Sequence, residues 1–175
     1  KYIFKLGERY MVKFTWYDEN VPEGMKIRQV QGLIFTRDGR LLIKSEIING
    51  KKVYSLAGGT PEDYDVDREA TLRRELLEEI NTTIFEPYYV GYQTVEGDGD
   101  RPTYAQIRMT AIIDTIGESI PDPDSGTVYE RLLTTPERAI ELLNWDTGAP
   151  QVRAAVRVAR EKLGIVEHRD FDEIV

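Results

Sequence analysis

The chain has no cysteine and a single histidine among its 175 residues. Without cysteine it can have no disulfide framework, no thiolate zinc site and no cysteine nucleophile. The lack of disulfides fits the cytoplasm, and that is the location we expect. The one histidine, His168, lies in a charged segment, where we expect a solvated side chain and not a catalytic base.

Long apolar runs and an excess of positive charge are also lacking. No uninterrupted apolar stretch approaches the roughly 20 residues that span a bilayer. Lys5 interrupts the first apolar residues too early for a signal peptide, although the chain does not begin with Met and removal of a leader stays open. The net charge of −8 opposes binding to the backbone of a nucleic acid. We therefore expect neither a membrane nor a polymeric nucleic acid as partner.

The length suits one domain, which can bury about 70% of its unfolded surface. Residues 1–25 read as an N-terminal arm with an edge strand, on which Val12, Phe14 and Trp16 alternate with polar residues. Residues 26–165 read as the main domain, and residues 166–175 as a charged tail. In the main domain, alternating and turn patterns predict strands at 25–35, 41–43, 50–56, 88–95 and 104–113, and helices at 68–80, 135–144 and 151–163.

The most informative helix follows a double glycine, Gly58-Gly59, and carries three glutamates. Because an α-helix advances roughly 100° per residue, Glu75, Glu78 and Glu79 fall within about a 100° arc. Three like charges on so narrow a face repel one another, and a bound divalent cation would offset the repulsion. The alternative is an ordinary solvated helix, since Glu, Leu and Arg are all strong helix formers.

A strand, the double glycine, an acidic loop and this helix occur in an order that resembles the signature of the Nudix hydrolases. In that signature a glycine loop leads into a helix ending Arg-Glu-(apolar)-x-Glu-Glu-x-Gly. Here Asp65 replaces the loop glutamate, the loop is one residue longer, and Asn81 replaces the closing glycine. Asn tolerates the left-handed conformation and can end the helix, and Asp67 is placed to cap its start.

The resemblance implies an α/β fold, an α/β/α sandwich with a mixed central sheet. It also implies that Glu75, Glu78 and Glu79 hold Mg²⁺, or alternatively Mn²⁺, with the carbonyl of Gly59 as a further ligand. Arg74 resembles the family arginine that orients these glutamates. Gly58 and Gly59 let the backbone pass close to a substrate.

Other candidate residues lie outside the signature. The family takes its general base from the signature or from a downstream loop, and Glu96, in the acidic stretch 95–100, is our first choice; a solvated hairpin loop is the alternative. Arg28 and Arg108 lie in predicted strands and could reach phosphates, with a surface ion pair as the alternative for each. Four tyrosines could stack on a base, but their strand spacing favours core or cross-strand packing: Tyr88, Tyr89, Tyr92 and Tyr104.

These patterns predict a Mg²⁺-dependent hydrolase that cleaves the pyrophosphate bond of a nucleoside diphosphate linked to another moiety, which stays open. A nucleoside triphosphate pyrophosphohydrolase is the first alternative. A Nudix-like sensor would bind a nucleotide without cleaving it, but it would not need the full set of glutamates. A structural interaction domain would leave the glutamates unexplained. The N-terminal arm could pair with that of a second copy, which would make a homodimer.

Overall fold

The computed structural model describes residues 2–5, 8–97, 102–165 and 169–175. Within these residues no helix has both the length and the apolar content needed to cross a bilayer. His168 lies outside the described residues. The elements are β1 (Tyr2–Lys5), β2 (Glu8–Tyr17), β3 (Ile27–Phe35), β4 (Leu41–Ile48), β5 (Lys51–Ser55), β6 (Gly58–Gly59), α1 (Arg68–Ile80), β7 (Thr82–Ile84), β8 (Tyr88–Gly97), β9 (Tyr104–Ile116), β10 (Glu130–Thr134), α2 (Pro136–Leu143), α3 (Gly148–Leu163) and β11 (Glu173–Ile174).

The sheet is mixed, and helices cover both of its faces. Its strand order is β1-β2-β8-β9-β3-β4-β10-β11, with β5 beside β4, β6 beside β3 and β7 beside β9. The β3–β9 pair is parallel, whereas β3 and β4 are antiparallel. On one face α1 buries Leu72 and Leu76; on the other, α2 and α3 bury Leu143 and Val152. This confirms the predicted α/β/α sandwich.

Local signals set the ends of α1 as the sequence predicts. The Asp67 carboxylate accepts a hydrogen bond from the Ala70 amide at 2.8 Å and caps the first turn. At the other end Asn81 adopts the left-handed conformation, with φ 45° and ψ 50°. Asn therefore ends this helix in the conformation that the closing glycine of the signature would supply.

The turn between β3 and β4 differs from the one that its Asp38-Gly39 dipeptide predicts. The Asp38-Gly39 dipeptide is typical of a two-residue type I′ turn, which needs positive φ at both residues. Here Gly39 has a positive φ of 82° and Asp38 does not, and the Thr36 amide donates to the Arg40 carbonyl across a wider loop. The Asp38 carboxylate accepts from Thr36 and Arg40, contacts that stabilise this wider loop.

Three further secondary-structure elements differ from the sequence prediction. The predicted edge strand is β2, but β1 pairs along its outer side, so the N-terminal arm is a pair of strands. The last helix begins at Gly148 and not at Gln151. Residues 169–175, predicted to be part of a charged tail, contain β11, which pairs with β10. Trp145, which lies between α2 and α3 in the sequence, packs against the hydrophobic core that both helices help to form.

Candidate active site

The glycine turn packs so closely against β3 and α1 that neither glycine has room for a side chain. Gly58 has φ 137°, and a Cβ there would lie 2.2 Å from the Val30 carbonyl oxygen. A Cβ on Gly59 would lie 2.4 Å from the carboxylate of Glu75. The absence of a side chain at Gly58 therefore lets the turn pack against the sheet, and its absence at Gly59 lets the backbone lie directly against a candidate metal ligand, Glu75.

Among the three glutamates, Glu79 has the least exposed side chain. Two hydrogen-bond donors contact its carboxylate. The Gly58 amide donates to one carboxylate oxygen at 2.8 Å, and Lys44 forms an ion pair with the other. The side chains of Lys44 and Glu79 are only 7% and 11% exposed. Burial raises the pKa of Glu79 in spite of these two donors. The Lys44 ammonium also lies 3.9 Å from the centroid of the Tyr129 ring.

Glu75 and Glu78 share a different cation. Arg74 Nη1 donates to Glu75 at 2.8 Å and to Glu78 at 3.0 Å. The other side of the same guanidinium donates to both carboxylate oxygens of Asp65 at 3.1 and 2.9 Å, and it reaches the Thr60 carbonyl at 3.0 Å. Arg74 thus contacts two of the three glutamates and ties the loop to the helix.

Asp65 occupies the position where the Nudix signature has a glutamate, and its carboxylate accepts hydrogen bonds from Arg74. Besides Arg74, it accepts hydrogen bonds from the Thr71 hydroxyl at 2.9 Å and the Glu62 amide at 3.0 Å. The Arg74 hydrogen bonds hold the pKa of Asp65 well below its usual range, against the opposing effect of burial. A charged Asp65 therefore fixes Arg74 from the loop side.

The carboxylates of this region are chemically suited to bind a hard divalent cation. In the part of the chain that the structure describes, no three acidic or histidine side chains converge as a ready metal site. Burial raises the pKa of Glu75 against the effect of Arg74, and nearby Glu79 and Glu78 raise it further. Carboxylates are the oxygen ligands that Mg²⁺ prefers, and Glu75 and Glu79 bring two of them to the glycine turn. The metal itself stays a prediction.

Two residues of this region were not foreseen. Lys44 follows the apolar run Leu41-Leu42-Ile43, and a charge that continues a buried strand is the signal that could have found it. Asp122 lies in a stretch that reads as a turn-rich connector, yet it is buried and its charge contributes to the raised pKa of Glu79. Its carboxylate accepts from the amides of Asp124 and Ser125 at 2.9 and 2.7 Å.

The two candidate arginines occupy different surroundings. Arg28 is exposed, lies 5.0 Å from the Tyr104 ring centroid, and borders a groove that includes Thr60. Arg108 is 1% exposed, and none of the ion pairs among the described residues includes it. The alternative of a surface ion pair is therefore wrong for Arg108, which faces a cavity instead.

Glu96 lies on β8, whereas it was predicted to belong to a loop. Its carboxylate pairs with Lys13 of β2 at 3.5 Å, and no contact in the described residues joins it to the glutamates of α1. Residues 98–100 of the same acidic stretch lie outside the described residues. Its role as a base stays a prediction. Tyr92 is buried and stacks on its cross-strand partner Tyr17, with ring centroids 5.0 Å apart, which confirms the packing role for that tyrosine.

Comparison with known proteins identifies the fold. No family model and no curated protein matches the chain. The pyrophosphohydrolase BsRppH of Bacillus subtilis is 16% identical with a TM-score of 0.62, and the match covers 87% of this chain and 93% of that one. A Nudix hydrolase of Nitrosomonas europaea is 16% identical at a TM-score of 0.59, with 83% and 98% covered. The Nudix domain of Shewanella oneidensis NrtR, complexed with ADP ribose, is 16% identical at 0.57, with 84% and 94% covered. On this evidence the chain has the Nudix fold.

Proposed function

We propose that the protein is a metal-dependent Nudix hydrolase that cleaves the pyrophosphate bond of a nucleoside diphosphate linked to another moiety. One observation carries the proposal: the glutamate face of α1 lies directly against the glycine turn, so close that a Cβ on Gly59 would lie 2.4 Å from the Glu75 carboxylate. The Nudix fold supports it, and so does the ADP ribose bound to the similar NrtR domain.

Each residue of the region has a role that its contacts suggest. Glu75, Glu78 and Glu79 would hold Mg²⁺ or Mn²⁺, with the Gly59 carbonyl as a further ligand. A bound metal polarises the phosphoryl group and lowers the pKa of the attacking water. Arg74 orients Glu75 and Glu78 through its hydrogen bonds, and such outer contacts fix the geometry of metal ligands.

The substrate's phosphates would approach along the groove beside the glycine turn. This groove has a volume of about 540 Å³ and is lined by Lys26, Arg28 and Thr60 among others. Lysine and arginine are the side chains that bind phosphate oxygens. Arg28 would therefore bind the part of the diphosphate that extends from the glutamates into the groove.

The Lys44–Glu79 ion pair favours a second candidate, a sensor that binds a nucleotide without cleaving it. Lys44 already neutralises Glu79, and a protein that needs no metal could keep that arrangement. Cleavage of nucleoside triphosphates, the other alternative, uses the same residues. The substrate panel below separates it from the first candidate.

The test is product release in the presence of Mg²⁺ from ADP-ribose, sugar nucleotides, dinucleoside polyphosphates and nucleoside triphosphates. We expect turnover with at least one class and a loss of roughly 100-fold or more in Glu79→Gln, because ligand geometry alone is worth about 10–100-fold. Glu69→Gln is the matched control, since Glu69 lies on the same helix and pairs with Arg73 at the surface. Wild-type turnover in Glu79→Gln would contradict the metal role. No turnover at all, with a nucleotide-induced rise in melting temperature, would favour the sensor.

A further inference from the structure

The last turn of the acidic helix α1, residues 77–80, contains Glu78 and Glu79 and no basic residue. The C-terminal end of a helix is the negative end of its dipole and favours positive charge. In α3, by comparison, the last turn has Arg160 and Lys162. Two carboxylates at the end of α1 are therefore unfavourable by themselves, and a cation from another part of the chain would stabilise this end.

Arg131, on β10, supplies that cation. Its Nη1 donates to the carbonyl of Ile80, the last residue of α1, at 2.9 Å, and Arg131 is only 4% exposed. The Thr82 hydroxyl donates to the same carbonyl at 3.0 Å, but it carries no charge. Burial lowers the pKa of Arg131, yet arginine starts high enough to stay charged at neutral pH. Arg131 therefore satisfies a carbonyl that has no partner within the helix and places positive charge at the negative end of the dipole.

The same guanidinium joins the end of α1 to the residue that follows β9. Arg131 Nη1 also donates to the Gly117 carbonyl at 2.7 Å, and the Gly117 amide donates to the Asn81 carbonyl at 2.8 Å. A Cβ on Gly117 would lie 2.4 Å from Nδ2 of Asn81, so these two residues pack directly against each other. Arg131 thus binds both sides of the junction at which the helix ends.

Two buried cations lie side by side next to this last turn. Arg131 stands opposite Lys44 in the antiparallel pairing of β10 with β4, and like charges in such a pair destabilise a sheet. Lys44 offsets the repulsion through its ion pair with Glu79, and Arg131 offsets it through the carbonyls that it binds. The two cations therefore fix neighbouring parts of α1: Lys44 contacts the Glu79 side chain, and Arg131 contacts the backbone of the next residue, Ile80.

The segment 169–175 contacts Arg131 through both its backbone and its side chain. The Val175 amide donates to the Arg131 carbonyl at 3.0 Å, next to the pairing of β11 with β10. In return, Arg131 Nε donates to the Val175 carbonyl at 3.0 Å. The guanidinium thus binds this segment with Nε and the end of α1 with Nη1, so its position depends on both.

Side-chain contacts dock the same segment on the sheet. Glu173 forms an ion pair with Arg40 at 2.7 Å, and the Arg40 side chain is only 6% exposed. The Thr134 hydroxyl donates to the carboxylate of Asp172. A chain of contacts therefore runs from the docked segment through Arg131 to the end of α1.

We propose that Arg131 is a positioning residue, which sets the last turn of α1 so that Glu79 can bind the metal, and that the segment 169–175 keeps Arg131 in place. The inference rests on the proposed function, because it concerns a ligand of the metal that this function needs. Replacing residues that orient metal ligands typically costs about 10–100-fold in metal affinity. The affinity of the acidic helix for a divalent cation therefore depends on residues that are far from it in the sequence.

The first measurement is the affinity for Mn²⁺ alone, by calorimetry without nucleotide, in the wild type and in Arg131→Met. We expect a loss of roughly tenfold, and Arg131→Lys should keep part of the affinity because it keeps the charge. Leu143→Ala is the matched control, since Leu143 is buried in the core on the α2–α3 face. Its truncation should lower the melting temperature at least as much and leave the Mn²⁺ affinity unchanged.

The second measurement needs no metal and compares amide hydrogen exchange at the two ends of α1. The Asn81 amide donates to the Leu77 carbonyl at the last turn, and the Ala70 amide donates to Asp67 at the first turn. In Arg131→Met we expect exchange to become selectively faster at Asn81, because the last turn loses its anchor. In Leu143→Ala both ends should change alike.

A double variant, Asp172→Asn/Glu173→Gln, weakens the docking of the segment 169–175 without changing Arg131. It should shift the Mn²⁺ affinity and the Asn81 exchange in the same direction as Arg131→Met, by a smaller factor. It also serves as the test if Arg131→Met fails to fold. Wild-type values of both quantities in the double variant would contradict the role of the segment.

Wild-type Mn²⁺ affinity in a folded Arg131→Met variant, or equal changes in exchange at both ends of α1, would overturn the positioning role. Its failure is distinguishable from failure of the proposed function. Glu79-dependent hydrolysis that Arg131→Met leaves unchanged contradicts the positioning role alone. A wild type that binds no Mn²⁺ and hydrolyses no substrate contradicts the proposed function, whereas selectively faster exchange at Asn81 would still support the role of Arg131 at the helix end.

Discussion

The two faces of the sheet treat buried charge in opposite ways. At the acidic helix, the carboxylates of Asp65, Glu75, Glu78 and Glu79 meet two cations, Arg74 and Lys44, so negative charge is in excess. On the α3 face the buried charge is Arg108, which donates to Gln151 and to the Ile107 carbonyl and belongs to none of the ion pairs among the described residues. The excess of carboxylates would suit the cation that we propose for the first region, whereas in the second region the buried charge is itself a cation.

The largest effect should come from breaking the buried Lys44–Glu79 pair. In Lys44→Met the Glu79 carboxylate stays buried without its cation, and such a break destabilises by about 3–5 kcal/mol. Mg²⁺ should then raise the melting temperature more than it does in the wild type, because the ion finds Glu79 unpaired. Urea unfolding with and without Mg²⁺ measures both effects.

The double variant Lys44→Met/Glu79→Gln is the control for that prediction. It removes both charges, so we expect it to recover much of the stability that Lys44→Met loses. Coupled neighbours commonly differ from additivity by about 0.5–3 kcal/mol. Purely additive losses would show that Lys44 does not act through Glu79.

Arg74 should give the next largest effect because it serves three carboxylates. Arg74→Met leaves Asp65 unpaired, and the Asp65 side chain is only 5% exposed. We expect a loss of about 3 kcal/mol in the free energy of unfolding, together with a loss of turnover. The matched control is Arg138→Met, whose exposed pair with Glu141 should contribute less than about 1 kcal/mol. A similar small loss in both variants would mean that Arg74 does not organise the site.

The acidic helix could be predicted from the sequence because its determinants are local. The cap residue Asp67, the left-handed Asn81 and the 100° spacing of the glutamates all lie within one short stretch. The α/β/α sandwich was predicted from the resemblance to the Nudix signature, and the order of the predicted strands and helices agrees with it. Lys44 was missed because only the tertiary fold brings it to Glu79, which is distant from it in the sequence.

The cavity that Arg108 and Gln31 line could not be predicted for a related reason. Arg108 and Gln31 meet through the parallel pairing of β3 with β9, and the sequence gives no signal for which residues of two distant strands become partners. Arg108 was already a candidate for binding phosphates. Its burial excludes the surface ion pair that was the alternative, and it lines a cavity instead. Long-range register, and not propensity, decides what such a residue does.

The smallest effect that we expect is the difference in the free energy of unfolding between the variants of the two buried arginines, Arg131 and Arg108. In Arg131→Met three carbonyls lose their donor, and we expect a loss of about 1–3 kcal/mol. Arg108→Met exchanges a buried charge that has no ion pair among the described residues for an apolar side chain, a change that is often neutral or stabilising, so we expect a change within about 1 kcal/mol. Urea unfolding of both variants at neutral pH gives the comparison. If Arg108→Met proved as destabilising as Arg131→Met, Arg108 would be a residue on which the stability of the fold depends as much as it depends on Arg131.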